Sequence, residues 1–257
     1  MTERRVPFHA TLPFLAAALA CLAAAEPAAQ PKEDERRYRA CLLQIRENAG
    51  MAMKTAEDWR AQGGGTPALH CVAMALLAGG NHQEAGVRLE ALADILTEER
   101  ADLRPEVLAQ AAQAWLFAGQ PERALKALDR AIAVKTNDSD LIIDRAVIHA
   151  NAGRLAEAER DLDRALAMAA TRDDAFALRA AIRRKAGRLD EARADADRAV
   201  ALNAKNADAW LERGLIRHAK GDGRGAEDDW RKAVQADPDS AAAKAAAANL
   251  KQTPPKP

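Results

Sequence analysis

Residues 153–165 read GRLAEAERDLDRA, and residues 187–199, 34 positions later, read GRLDEARADADRA. Residues 119–131 (GQPERALKALDRA) and 221–233 (GDGRGAEDDWRKA) extend the series, with marker alanines at Ala124, Ala158, Ala192 and Ala226. Each step is 34 residues (158 − 124, 192 − 158, 226 − 192). Three equal steps are the signature of an internal structural repeat. Gly119, Gly153, Gly187 and Gly221 each follow an apolar-periodic stretch, where a helix needs a left-handed residue to end. Small residues at matching positions let two successive helices cross at short range. Each unit therefore predicts an antiparallel pair of helices.

The composition agrees. Half of the 257 residues are apolar, but only 4% are aromatic, and alanine supplies most of the apolar share. Alanine has the highest helix propensity, with Leu, Arg, Glu and Lys close behind. The chain reads as all-α. Lys plus Arg equals Asp plus Glu at 38 each, for a net charge of zero. That balance gives no electrostatic footprint for a nucleic-acid partner.

On these residues the chain resembles the tetratricopeptide repeat (TPR) family. The last unit carries Trp210, Gly214, Gly221, Ala226, Trp230, Ala233 and Pro238 at the family's large, small, alanine and proline positions. Earlier units carry Leu108, Ala112, Ala124 and Leu128, then Ile142, Ala146, Ala158 and Leu162, then Phe176, Ala180, Ala192 and Ala196. A more divergent unit has Leu69, Ala73, Gly80, Ala85 and Leu89. Ala85 to Ala124 is 39 residues, which predicts a longer turn at 97–103. The resemblance implies a right-handed superhelical solenoid of antiparallel helix pairs. It would hold a divergent repeat at 66–104 and four regular repeats at 105–138, 139–172, 173–206 and 207–240. A degenerate helix pair at 36–65 would precede them. A capping helix at 241–252, started by Asp239-Ser240, and a tail at 253–257 would follow. Asn137-Asp138, Asp173-Asp174 and Asn206 stand where N-caps are expected. The recurring runs Asp161–Arg164 and Asp195–Arg198 read as an exposed second-helix face with local ion pairs. Gly63-Gly64-Gly65-Thr66-Pro67 reads as a linker, since no Lys follows it to make a phosphate loop.

The resemblance also implies a function, the binding of a protein or peptide in a concave groove lined by the first helices. Carried onto this sequence, the lining is His70, Met74, Gln113, Leu116, Phe117, Ile143, Val147, Asn151, Arg184, Lys185, Leu211, Leu215 and His218. Asp140, Asp174 and Asp208 fall at the groove's second position in their units. The Lys and Asn clamp by which chaperone-binding members hold a C-terminal carboxylate is missing. An enzyme is disfavoured. The only serines are Ser139 and Ser240, both at helix starts, and no nucleophile elbow or metal motif such as HExxH or CxxC occurs. No cofactor is expected.

The N-terminus has the layout of a secretory signal peptide over residues 1–25, with Arg4-Arg5, an apolar run and the small residues Ala23-Ala24-Ala25. The expectation is export to the periplasm, a mobile spacer at 26–35 and, as an alternative, a lipid anchor on Cys21. After cleavage two cysteines remain, Cys41 and Cys71. An even number in an exported chain fits a disulfide; two buried thiols in helix packing fit the same sequence.

Overall fold

The computed structural model describes residues 31–252. Among these residues there are α-helices and one 3-10 helix, and no strand. No described helix is long and apolar enough to cross a membrane. The leader at 1–25, Cys21 and the tail at 253–257 lie outside the described residues.

The helices form two compact units divided between Thr136 and Asn137. The first holds α1 (Pro31–Glu47), α2 (Ala49–Ala61), α3 (Gly65–Ala78), α4 (His82–Ile95), α5 (Arg104–Phe117) and α6 (Pro121–Val134). The second holds α7 (Ser139–Asn151), α8 (Leu155–Met168), α9 (Asp173–Lys185), α10 (Leu189–Leu202), α11 (Ala207–Ala219), α12 (Gly223–Ala236) and α13 (Ala241–Gln252). The all-α repeat class is the one the period dictates, and the longer turn is a 3-10 helix, Glu98–Leu103.

Three local expectations need correction. The spacer expected to reach residue 35 ends sooner, because α1 begins at Pro31. Proline at a helix start sacrifices only an N–H that had no partner. The linker expected at 63–67 is shorter too, since Gly65, Thr66 and Pro67 already form the first turn of α3. Asp138 and Asn206 cap their helices through side-chain oxygens, but Asp173 is the first residue of α9 and Arg172 occupies its cap position. The C-terminal cap works through Ser240, whose Oγ accepts from Ala243 N at 3.1 Å.

Hairpin turns repeat in detail. Gly119, Gly153, Gly187 and Gly221 have φ of 71°, 77°, 78° and 84°, which only glycine adopts without strain. The residue after each glycine donates back across the turn, as in Arg154 N to His149 O and Arg188 N to Arg183 O, both 2.9 Å. Within hairpins the crossing is made by alanines with no exposed surface, among them Ala146, Ala158, Ala165, Ala180, Ala192 and Ala199. The last hairpin trades sizes. A methyl group on Gly214 would lie 2.5 Å from Trp230 Nε1, so the indole occupies the space that Cβ atoms fill in the hairpins before it. In the first unit Trp115 lies over Gly86 in the same manner, with the Arg123 guanidinium 3.5 Å from its ring centre.

The second unit contains a ladder of buried ion pairs, where the sequence suggested an exposed face. Arg145, Arg179 and Arg213 on the first helices each grip Asp161, Asp195 and Asp229 on the paired second helices. In all three pairs Nε donates to Oδ2 at 2.9 Å and Nη2 donates to Oδ1 at 2.7 Å. The aspartates are 7%, 4% and 0% exposed. The other aspartate of each run faces outward and serves the next hairpin: Arg179 Nη1 donates to Asp163 at 2.6 Å, and Arg213 Nη1 to Asp197 at 3.1 Å. One turn further on, Arg183 and Arg217 add a second cation to Asp195 (2.8 Å) and Asp229 (3.0 Å). His149 stands at that position in the first hairpin of the unit, 3.9 Å from Asp161.

Removing one member of a buried pair leaves an uncompensated charge, at a cost of about 3–5 kcal/mol. Asp229→Ala should therefore lower the urea-unfolding free energy by about that amount. Arg231→Ala, which breaks exposed pairs with Glu227 and Asp228 on the same helix, should cost less than about 1 kcal/mol. Equal losses in the two variants would show that the ladder carries no special share of stability.

Candidate protein-binding face

In the first unit the expected groove residue His70 is not at the surface. It is 3% exposed, and its ring joins three helices. Nδ1 shares a 2.7 Å hydrogen bond with Tyr38 Oη of α1, and Nε2 a 2.6 Å bond with Gln110 Oε1 of α5. Burial lowers the His70 pKa, against the opposing effect of the Gln110 bond. Burial, reinforced by the Glu106 carboxylate, raises that of Tyr38. One residue along, Cys71 of α3 is bonded to Cys41 of α1, with Cα atoms 6.3 Å apart. Two side-by-side links thus fasten α1 to α3. Met74 is also buried, at 8% exposed. Gln113 and Leu116 are half-buried. Phe117 is 52% exposed and tilts against the ring of His82, centroids 5.3 Å apart.

In the second unit Ile143 and Leu211 are buried, each 7% exposed. Leu211 belongs to the apolar cluster around Trp210 and Trp230, with Leu215 half-buried against it. His218 is exposed at the end of α11, its ring 5.6 Å from that of Trp230. Val147 is half-buried, and Asn151 and Lys185 are exposed. Arg184, expected as a groove cation, is neutralised by Glu212 of α11, to which Nε donates at 2.8 Å and Nη2 at 3.3 Å. His70, Met74, Ile143, Leu211 and Arg184 therefore differ from the open lining expected of them, because neighbouring elements claim their surface or charge.

The opening turns of α7, α9 and α11 carry a second feature. Asp140, Asp174 and Asp208 recur at the 34-residue step, with Asp144 and Glu212 one turn further along α7 and α11. Arg172 ties the first two members of the row together. It pairs with Asp140, donates to Asp174 at 2.9 and 2.7 Å, and donates to Ser139 Oγ at 3.2 Å. With Arg184 on Glu212, two guanidinium groups face five carboxyls and do not neutralise the cluster. Burial, with Asp140, Asp138 and Asp174 nearby, pushes the Asp144 carboxyl up to about 7, against the opposing effect of Arg172. Burial, with Glu212 and Asp237, also raises that of Asp208. Asp144 was not among the groove residues carried from the family pattern. Its signal in the sequence is its spacing, four residues after Asp140 on one helical face. Among the described residues no group of three His, Cys, Asp or Glu side chains is placed to hold a metal ion.

Residues 114–183 match the family model described as tetratricopeptide repeat. That segment carries tetratricopeptide repeats. Solved structures of similar fold include the APC/C hetero-tetramer Cut9-Hcn1, at TM-score 0.63 and 15% identity over 87% of this chain and 43% of that one. MamA 41-end from Desulfovibrio magneticus RS-1 gives TM-score 0.56 and 19% identity over 68% of this chain and 97% of that one. YrrB, described as a TPR protein with an unusual peptide-binding site, gives TM-score 0.50 and 17% identity over 70% and 91%. At these identities the likeness is one of fold. No curated protein matches the chain.

The acidic row gives the TPR unit a definite pH response. Asp144 has a folded-state pKa of about 7 against an ordinary 3.8. The native state therefore binds more protons than the unfolded state across that window, and stability falls as pH rises from about 4 to about 7. Asp144→Asn, which cannot ionise, should raise the thermal midpoint at pH 8 and leave it nearly unchanged at pH 4. A gain of equal size at both pH values would count against the crowded-carboxylate account.

Proposed function

We propose that this protein is a non-catalytic, exported scaffold that holds a segment of another protein against the first helices of its second unit. The repeat family and the fold support a protein-interaction role in general. The face described above supports the finer reading. Asp140 and Val147 on α7, and Asp208 and Leu215 on α11, are seven residues apart and share one helical face. Helix α9 lies between them with Asp174. Acidic groups stand at one end of this face, and half-buried apolar side chains stand two turns along. Such a face suits a partner segment with Lys or Arg at one end and an apolar anchor beyond it. The peptide-binding site named for YrrB is in keeping with that use of the fold. Export rests on the leader layout of residues 1–25, and the Cys41–Cys71 bond is of a kind that persists in oxidising compartments.

The test is affinity capture from an envelope extract with the wild-type chain and with Asp140→Lys/Asp174→Lys. Both changes sit on exposed side chains, and circular dichroism checks that the variant keeps its helices. Wild type should retain a partner that the charge-reversed chain loses, and retention should weaken with salt, since exposed charges are screened. A partner held equally by both chains, with no salt dependence, would remove the acidic face from the binding mechanism. Fusion of residues 1–25 to alkaline phosphatase should give periplasmic activity; an inactive fusion would remove export from the proposal.

A further inference from the structure

The two ends of the Cys41–Cys71 bond are packed differently. A cavity of about 240 Å³ opens between α1 and α2, and Cys41 forms part of its wall. Ala40 and Arg37 line it from α1, and Thr55, Asp58 and Trp59 from α2. No residue of α3 contributes, so the other sulfur lies behind the wall. Burial repeats the asymmetry at the level of each residue, with Cys41 4% exposed and Cys71 0% exposed. Trp59 supplies an apolar surface, and Arg37 brings a cation to the same opening. Asp58 sets an anion at the same opening, and Arg37 is also paired with Glu33 at 3.4 Å, so the cavity supplies access rather than charge.

We propose that Cys41 is a site of reversible thiol–disulfide exchange, taking low-molecular-weight thiols through this cavity. Exchange proceeds by attack of a thiolate on one sulfur, with the other sulfur as leaving group. The incoming thiolate forms a new S–S bond to Cys41 Sγ, and the Cys41–Cys71 bond breaks. Cys71 departs with the electron pair and takes a proton from solvent. No oxidant or reductant beyond the thiol is needed. The products are a mixed disulfide on Cys41 and a free thiol on Cys71. Attack in the opposite sense requires access to Cys71, which the packing of α3 denies. Reversal needs only Cys71, which gives up its proton, attacks Cys41 Sγ as the thiolate and expels the small thiolate, which takes up a proton. While the adduct lasts, α1 has lost its covalent tie to α3 and keeps the Tyr38–His70 hydrogen bond beside it. The site lies wholly in the first unit and requires no binding partner, so it stands or falls separately from the scaffold reading.

The full chain, purified with the bond formed, is incubated without denaturant in excess reduced glutathione. The mixture is quenched with acid, free thiols are alkylated with N-ethylmaleimide, and peptides are mapped by mass spectrometry. Glutathione should sit on Cys41 and maleimide on Cys71, exceeding the reverse pattern by about tenfold or more. Ala40→Trp and Thr55→Trp, which fill the cavity from exposed positions on its two walls, should each slow the exchange several-fold at an unchanged urea midpoint. Adducts divided evenly between the two cysteines, or favouring Cys71, overturn the proposal. So does exchange that proceeds only at the rate of global unfolding, or that both filled variants leave unslowed. Two free thiols on a chain recovered from an oxidising compartment overturn it as well.

Discussion

The second unit depends on burying a charge without leaving it alone. A carboxylate taken out of water costs several kcal/mol unless its lone pairs are met. Asp229, with no exposed surface, is met by two nitrogens of Arg213 and one of Arg217. The fork geometry of guanidinium suits this better than an ammonium would, because both oxygens are engaged in one plane. Once the pair is required, much else follows. The two helices of a hairpin must hold their register to within a fraction of an ångström. The residues around the pair must be small enough for the backbones to approach. Alanine at the crossings satisfies that condition, and the thin core follows from the ion pairs as much as from the repeat.

The hairpin formed by α5 and α6 shows the alternative. Ala111 and Ala127 stand where the later hairpins have their arginine and buried aspartate, and both are completely buried. Trp115 takes the place of the second cation and lies over Gly86. Apolar contact replaces ionic pairing at the same positions, as expected when a buried pair and a packed apolar substitute are close in stability. What distinguishes them is specificity. A bidentate pair has one good geometry, whereas two methyl groups tolerate small slips.

The period, the hairpins, the long turn and the terminal cap were legible because each is written in residues with a local physical role. Glycine marks a left-handed turn and serine caps a helix. The ladder was harder to read, although its parts also recur at the same step. Asp161 and Asp163 are two residues apart, about 200° around a helix, so both cannot lie on one exposed face. One of them had to point inward, and Arg145, Arg179 and Arg213 were its available partners. The groove was less legible still. Whether His70 lines a surface or fills an interior depends on Tyr38, 32 residues earlier, and no repeat pattern encodes that pairing. Arg184 likewise looks free until Glu212 is seen across from it.

The ladder also has a direction. Arg179 reaches back to Asp163 and Arg213 back to Asp197, each on the hairpin that precedes it in the chain. A ribosome delivers the amino end first, and domains tend to fold as they emerge. Arg179 and Arg213 therefore appear when their outward acceptors already stand on a finished hairpin. The buried acceptor follows 16 residues later on its own second helix. Growth of the unit resembles laying courses of brick, in which every new course keys into the one below. The last course closes on α13, whose buried face consists of alanines.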